Sequence, residues 1–98
     1  MNLQDYIQKI EERKYTIGIL GLGYVGLPLM WTFHQQGLPV LGFDVDEIKV
    51  KKLKSGIPYI KHLGKEMMQN LAESDICDAT TDFSRLKEAD AMLLCVPT

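Results

Sequence analysis

Residues Tyr15–Asp46, YTIGILGLGYVGLPLMWTFHQQGLPVLGFDVD, carry the pattern that most constrains what this chain can fold into. An apolar run ends in glycine, and G-x-G-x-x-G follows at Gly21, Gly23 and Gly26. Taken alone, that spacing occurs in many unrelated loops, so its surroundings decide what it means. YTIGIL, Tyr15 to Leu20, is a short apolar run consistent with a buried parallel strand. From about Tyr24 to Gln36 the periodicity becomes helical, with Val25, Leu29 and Phe33 four residues apart. Pro28 falls near the first turn, where a missing N–H costs least, and Gly37 is a natural stop. LPVLGFD then forms a second strand closing at Asp44.

The unit from Tyr15 to Asp44 is 30 residues long, and Asp44 lies 18 residues beyond Gly26. Length, strand before, helix after and acid at the second strand's end together describe a dinucleotide-binding βαβ unit. Gly21 permits the tight turn out of the strand. Gly23 leaves room for a pyrophosphate to approach the backbone, and Gly26 lets the helix pack on the strand. The helix N-terminus offers unpaired N–H groups and a positive dipole end to phosphate. A carboxylate at Asp44 suits the ribose hydroxyls of NAD and repels the 2′-phosphate of NADP, and neither Val45 nor Asp46 supplies an arginine to offset that. The plainer alternative for Asp44 is a strand-end turn residue.

Downstream, Asp46 can cap a second helix through Ile48, Val50 and Leu53, stopped by Ser55-Gly56. KEMMQNLAES reads as a third helix. A short strand is expected around Cys77 to Thr80, a short helix starting at Asp82 or Ser84, and an apolar strand in ADAMLLCVPT. The order β-α-β-α-α-β-α-β predicts an α/β fold, a Rossmann-like parallel sheet forming the first half of a doubly wound dinucleotide-binding domain. The expected strand order is 3-2-1-4, with Ala91–Val96 at one edge. Residues 15–98 form this partial domain, and residues 1–14 form an amphipathic helix, with Leu3, Ile7 and Ile10 on one face, and a linker.

Composition narrows the classes. Net charge is −2, which gives no electrostatic case for nucleic acid or an anionic membrane. The run KVKKLK, Lys49 to Lys54, reads as a solvated helix face. No apolar run approaches the roughly 18 residues of a membrane span, and the N-terminus lacks a signal-peptide core. Cys77 and Cys95 form neither a disulfide framework nor a metal set, and read as reduced thiols of a cytoplasmic protein. His34 and His62 stand singly, as packing or surface residues.

GLGYVGLPL, GFDVD followed by Lys49, ATTDFSRLKEAD and the terminal CVPT resemble the N-terminal part of the nucleotide-sugar 6-dehydrogenases, the UDP-glucose/GDP-mannose dehydrogenase family. The likeness covers Tyr15 to Thr98, and YIKH with ATTDFS is most similar to members acting on UDP-N-acetylglucosamine or UDP-N-acetylmannosamine. It implies oxidation of a UDP-sugar C6 hydroxyl to a uronate with two NAD, while a homo-oligomer is expected from the unpaired apolar edge AMLLCV or the Leu3, Ile7 and Ile10 face. By resemblance Gly21–Gly26 holds the pyrophosphate, with backbone contacts from Tyr24 and Val25. Asp44 takes the adenosine ribose and Lys49 lies beside it, the alternative for Lys49 being one more solvated lysine. Cys95, Val96, Pro97 and Thr98 match the segment lining the cofactor from the fourth strand.

The resemblance also implies that the family's nucleophilic cysteine and sugar pocket lie outside these residues. Neither Cys77 nor Cys95 sits in its catalytic motif, so no catalytic residue is assigned here and the chain alone is expected to be inactive. Two other readings stay open: a stand-alone NAD-responsive module, and a piece of a β-hydroxyacid-type dehydrogenase. The latter usually has Met where Val25 stands.

Overall fold

The structure is a computed structural model that describes residues 3–4, 15–60 and 64–95. Four strands form one parallel sheet: β1 (Ile17–Leu20), β2 (Val40–Phe43), β3 (Cys77–Thr80) and β4 (Ala91–Leu94). Their spatial order is β3-β2-β1-β4, as the alternation of strands and crossovers predicts. Ile17 pairs with Val40 on one side and Ala91 on the other, and Val40 pairs with Cys77. The carboxyl ends of all four strands therefore lie along one rim of the sheet.

Helix α1 (Gly26–Gln35) makes the first crossover, and α2 (Glu47–Ser55) with α3 (Lys65–Glu73) makes the second. A 3-10 helix, Phe83–Glu88, leads into β4. The punctuation is as the residue chemistry requires. The Asp46 side chain accepts the Ile48 N–H at 2.9 Å at the start of α2, and Gly56 closes that helix in the left-handed conformation. Asp82 caps the 3-10 helix by accepting from Ser84.

The core lies between the sheet and the helices. Ile19, Leu22, Leu27, Met30, Phe43, Met68 and Leu71 are fully buried, each side chain contributing about 1.5–3 kcal/mol of transfer free energy. Edge strand β3 is further tied down by charge: Arg85 forks onto Glu88 and bonds Asp78 at 3.0 Å, while Lys54 reaches Asp78 at 3.6 Å.

Two expectations need correction. The buried face of α1 is Gly26, Leu27 and Met30, not the stripe Val25, Leu29 and Phe33. Val25 precedes the helix and is 60% exposed, while Leu29 and Phe33 pack at the core's margin. Cys95 follows β4 instead of lying within it, although its N–H still bonds Leu20 O at 2.7 Å. Cys77 opens β3. Of the N-terminal segment, Ile7 and Ile10 lie outside the described residues, as do His62 and Val96 to Thr98, and exposed Leu3 is described.

Candidate functional site

β1 ends at Leu20, and the chain turns at once. Gly21 takes φ 101°, a value that L side chains rarely adopt, while its N–H bonds Phe43 O at 2.8 Å. The returning helix presses Gly26 against this turn, so that a Cβ there would collide with the Gly21 carbonyl and come within 3.2 Å of Ile19 Cγ2. Gly23 is different. A Cβ built on it meets only Lys49 Nζ, at 4.0 Å, so this glycine borders open space.

Helix α1 begins there without a side-chain cap, in contrast to α2 and the 3-10 helix. The N–H groups of Gly23, Tyr24 and Val25 find no acceptor among the described residues. They form an uncapped helix entrance of the kind that receives an anion.

Asp44, only 9% exposed, sits one residue past β2 beside this turn. Its Oδ2 accepts the Leu22 N–H at 2.9 Å, and Oδ1 accepts the Asp46 N–H at 2.9 Å. Each oxygen keeps a second lone-pair direction. On its other side the Leu22 carbonyl accepts the Tyr59 hydroxyl at 2.7 Å. Burial first, then the Asp44 and Asp46 carboxylates, raise the Tyr59 pKa and keep that phenol a donor.

Around these groups runs a cleft of about 770 Å³ at the carboxyl rim of the sheet. It brings together Gly21, Gly23, Tyr24, Val25, Asp44, Lys49 and Cys95 from the sequence reading. Gly26 lies behind it as a packing contact, and Val96, Pro97 and Thr98 fall outside the described residues. Lys49 borders the cleft, whereas Lys51 and Lys54 of the same run are exposed on α2.

Several wall residues were not singled out from sequence: Leu22, Phe43, Val45 and Phe83. Phe83 enters because the 3-10 helix starts just beyond β3, setting its ring 5.9 Å from that of Phe43. An aromatic directly after a capping aspartate at a strand's carboxyl end was the available signal. Tyr59 had none, since its partner is a backbone carbonyl 37 residues away.

The walls are largely apolar, with carboxylates at one end and an uncapped helix at the turn. That composition suits a molecule with a flat apolar ring, hydroxyls and phosphates. Among the described residues no cluster of three or more His, Cys, Asp or Glu could hold a metal ion. Cys77 lies away from this cleft, and burial, reinforced by Asp78, pushes its thiol up to about 12. The cradle left open at Gly23 and the free N–H groups fit a dinucleotide's pyrophosphate, which is the test the residues must pass to hold NAD.

Comparison with known proteins agrees. The pattern of the UDP-glucose/GDP-mannose dehydrogenase family, NAD binding domain, matches residues 15–98. UDP-N-acetyl-D-mannosamine dehydrogenase of Pyrococcus horikoshii is 34% identical over 87 residues, covering 84% of this chain and 20% of that protein. UDP-N-acetyl-D-glucosamine 6-dehydrogenase of Salmonella typhi is 35% identical over 82 residues, covering 84% of this chain and 18% of that one. The GDP-mannose dehydrogenase of Pseudomonas aeruginosa, solved as a ternary complex, superposes with a TM-score of 0.77 at 31% identity, over 84% of this chain and 19% of that one. The fold and the turn define a dinucleotide-binding α/β domain. The chain belongs to the UDP-glucose/GDP-mannose dehydrogenase family, as its NAD-binding domain, and its cofactor is NAD. It spans about a fifth of the length of the relatives it matches. No helix among the described residues is long and apolar enough to cross a membrane.

Proposed function

We propose that this chain is the NAD-binding part of a cytoplasmic, homo-oligomeric nucleotide-sugar dehydrogenase that oxidises the C6 hydroxyl of a UDP-sugar to the uronate with two NAD. The observation that carries the reading is the open, uncapped turn at Gly23 facing Asp44 across one cleft. In this reading the N–H groups at Gly23, Tyr24 and Val25 bind the pyrophosphate. Asp44 offers its remaining lone pairs to the adenosine ribose, and Lys49 lies beside them. Cys95 lines the cofactor's path toward the nicotinamide, and Val96, Pro97 and Thr98, outside the described residues, match the family segment that follows it. Relatives named for UDP-N-acetylated sugars make such a sugar the favoured substrate class. The cofactor supplies hydride acceptance, and this chain's residues bind and orient it.

The turn binds the adenosine diphosphate half, and none of the described residues lining the cleft is assigned a catalytic step. Isothermal titration calorimetry on the 98-residue chain tests this. NAD and ADP-ribose should bind with similar affinity, NADP at least tenfold more weakly, and no NADH should form when a UDP-sugar is added. Equal binding of NADP would remove Asp44 from the ribose site, and NADH formation would place catalysis within these residues.

A further inference from the structure

A turn made of glycines is a poor binding site unless something holds it. Gly21 and Gly23 have no side chains to fix them, and a flexible anion cradle gives up affinity to its own ordering. Leu22, between them, is where the turn is fastened. Its side chain is fully buried, its N–H is held by Asp44, and its carbonyl is held by the Tyr59 hydroxyl. Both polar groups of one peptide residue are thus gripped by side chains from different elements. Tyr59 comes from the connection between α2 and α3, which the buried Ile60 anchors in the core next to it.

We propose that Tyr59 is a positioning residue of the nucleotide site: by holding the Leu22 carbonyl, it presets the Gly23, Tyr24 and Val25 N–H groups for a pyrophosphate. The inference rests on the reading of this turn as the diphosphate site, and it makes the α2–α3 connection part of that site. Tyr59 itself touches no phosphate. It acts through Leu22 and complements Asp44, which faces the ligand as well as the turn.

Tyr59→Phe keeps the ring and removes only the donor. ADP and adenosine should be titrated into the wild-type 98-residue chain and the variant, well below the melting temperature of each. The dissociation constant for ADP should rise about 5- to 10-fold, the value of one neutral hydrogen bond, while that for adenosine changes less than twofold. Amide exchange without ligand gives a second readout: the turn's hydrogen-bonded amides, Leu22 on Asp44 and Gly21 on Phe43 O, should exchange faster in the variant while β2 keeps its protection. Unchanged ADP affinity, an equal loss for both ligands, or uniformly faster exchange would each reduce Tyr59 to a stabilising residue and overturn the proposal. Wild-type protein that binds neither ligand would overturn the nucleotide reading itself, and this inference with it.

Discussion

Asp44 accepts the backbone N–H of Leu22 at 2.9 Å, so the acid that ends β2 is bolted to the glycine turn that ends β1. The same carboxylate also accepts the Asp46 N–H, at the start of the α2 cap. One side chain therefore fastens the turn and also lines the cleft, so a substitution there cannot be a clean binding variant. Asp44→Ala leaves the Leu22 and Asp46 N–H groups without their acceptor. We expect a loss of about 1.5–3 kcal/mol in urea unfolding, alongside weaker ADP-ribose binding in the folded protein. Asp44→Asn should also destabilise, because its amide nitrogen must face one of two donors. Wild-type stability in Asp44→Ala would mean that the two bonds contribute nothing.

Cys77 should be inert. Burial raises its pKa to about 12, so almost no thiolate exists near neutral pH. Ellman's reagent at pH 8 should modify Cys77 at least a hundredfold more slowly in the folded chain than in urea. Peptide mapping locates the label, and rapid labelling of Cys77 in native conditions would contradict the packing at the start of β3.

The third expectation concerns acid. Burial alone would raise the Asp78 pKa, but the Ala79 N–H, the Arg85 guanidinium and Lys54 outweigh it and hold it below the usual carboxylate value. A depressed folded-state pKa stabilises the fold above the unfolded value of about 3.9 and loses that contribution as pH falls through the folded value. Asp78 is partly solvated, so the effect should stay under about 1 kcal/mol and shrink in high salt. Thermal melts of wild type and Asp78→Asn should differ at pH 7 and converge toward pH 2.5. A constant gap across that range would assign the difference to packing instead of charge.

The strand order, the parallel pairing and the Asp46 cap were legible from apolar runs, glycine stops and a short acidic side chain, while the structure chose Asp82 over Ser84 as the cap of the 3-10 helix. The α1 face was not legible. Residues Gly26 to Phe33 are apolar at nearly every position, so period alone could not choose a phase. The contact of Gly26 with the Gly21 carbonyl chose it, turning Leu27 and Met30 inward. Spacing marked the glycines and Asp44, resemblance marked Lys49, and of these the cleft brings Gly21, Gly23, Asp44 and Lys49 together. Tyr59 and Phe83 reach the site through tertiary contacts that no spacing encodes.

Gly23 and Gly26 should separate folding from binding. Both belong to one motif, yet they face opposite ways: Gly26 into the Gly21 carbonyl, Gly23 into the cleft. Gly26→Ala forces backbone apart and should cost about 3 kcal/mol or more, the upper range for overpacking. Gly23→Val meets only the far end of the flexible Lys49 side chain, so its unfolding free energy should stay within about 0.5–1 kcal/mol of wild type. Its side chain, however, occupies the approach to the free N–H groups, and ADP-ribose binding should fall below detection in calorimetry. Urea unfolding and titration of both variants give the comparison. Ligand binding that survives in folded Gly23→Val would move the diphosphate away from this turn. Wild-type stability in Gly26→Ala would show that α1 can slide off β1, against the close approach seen here.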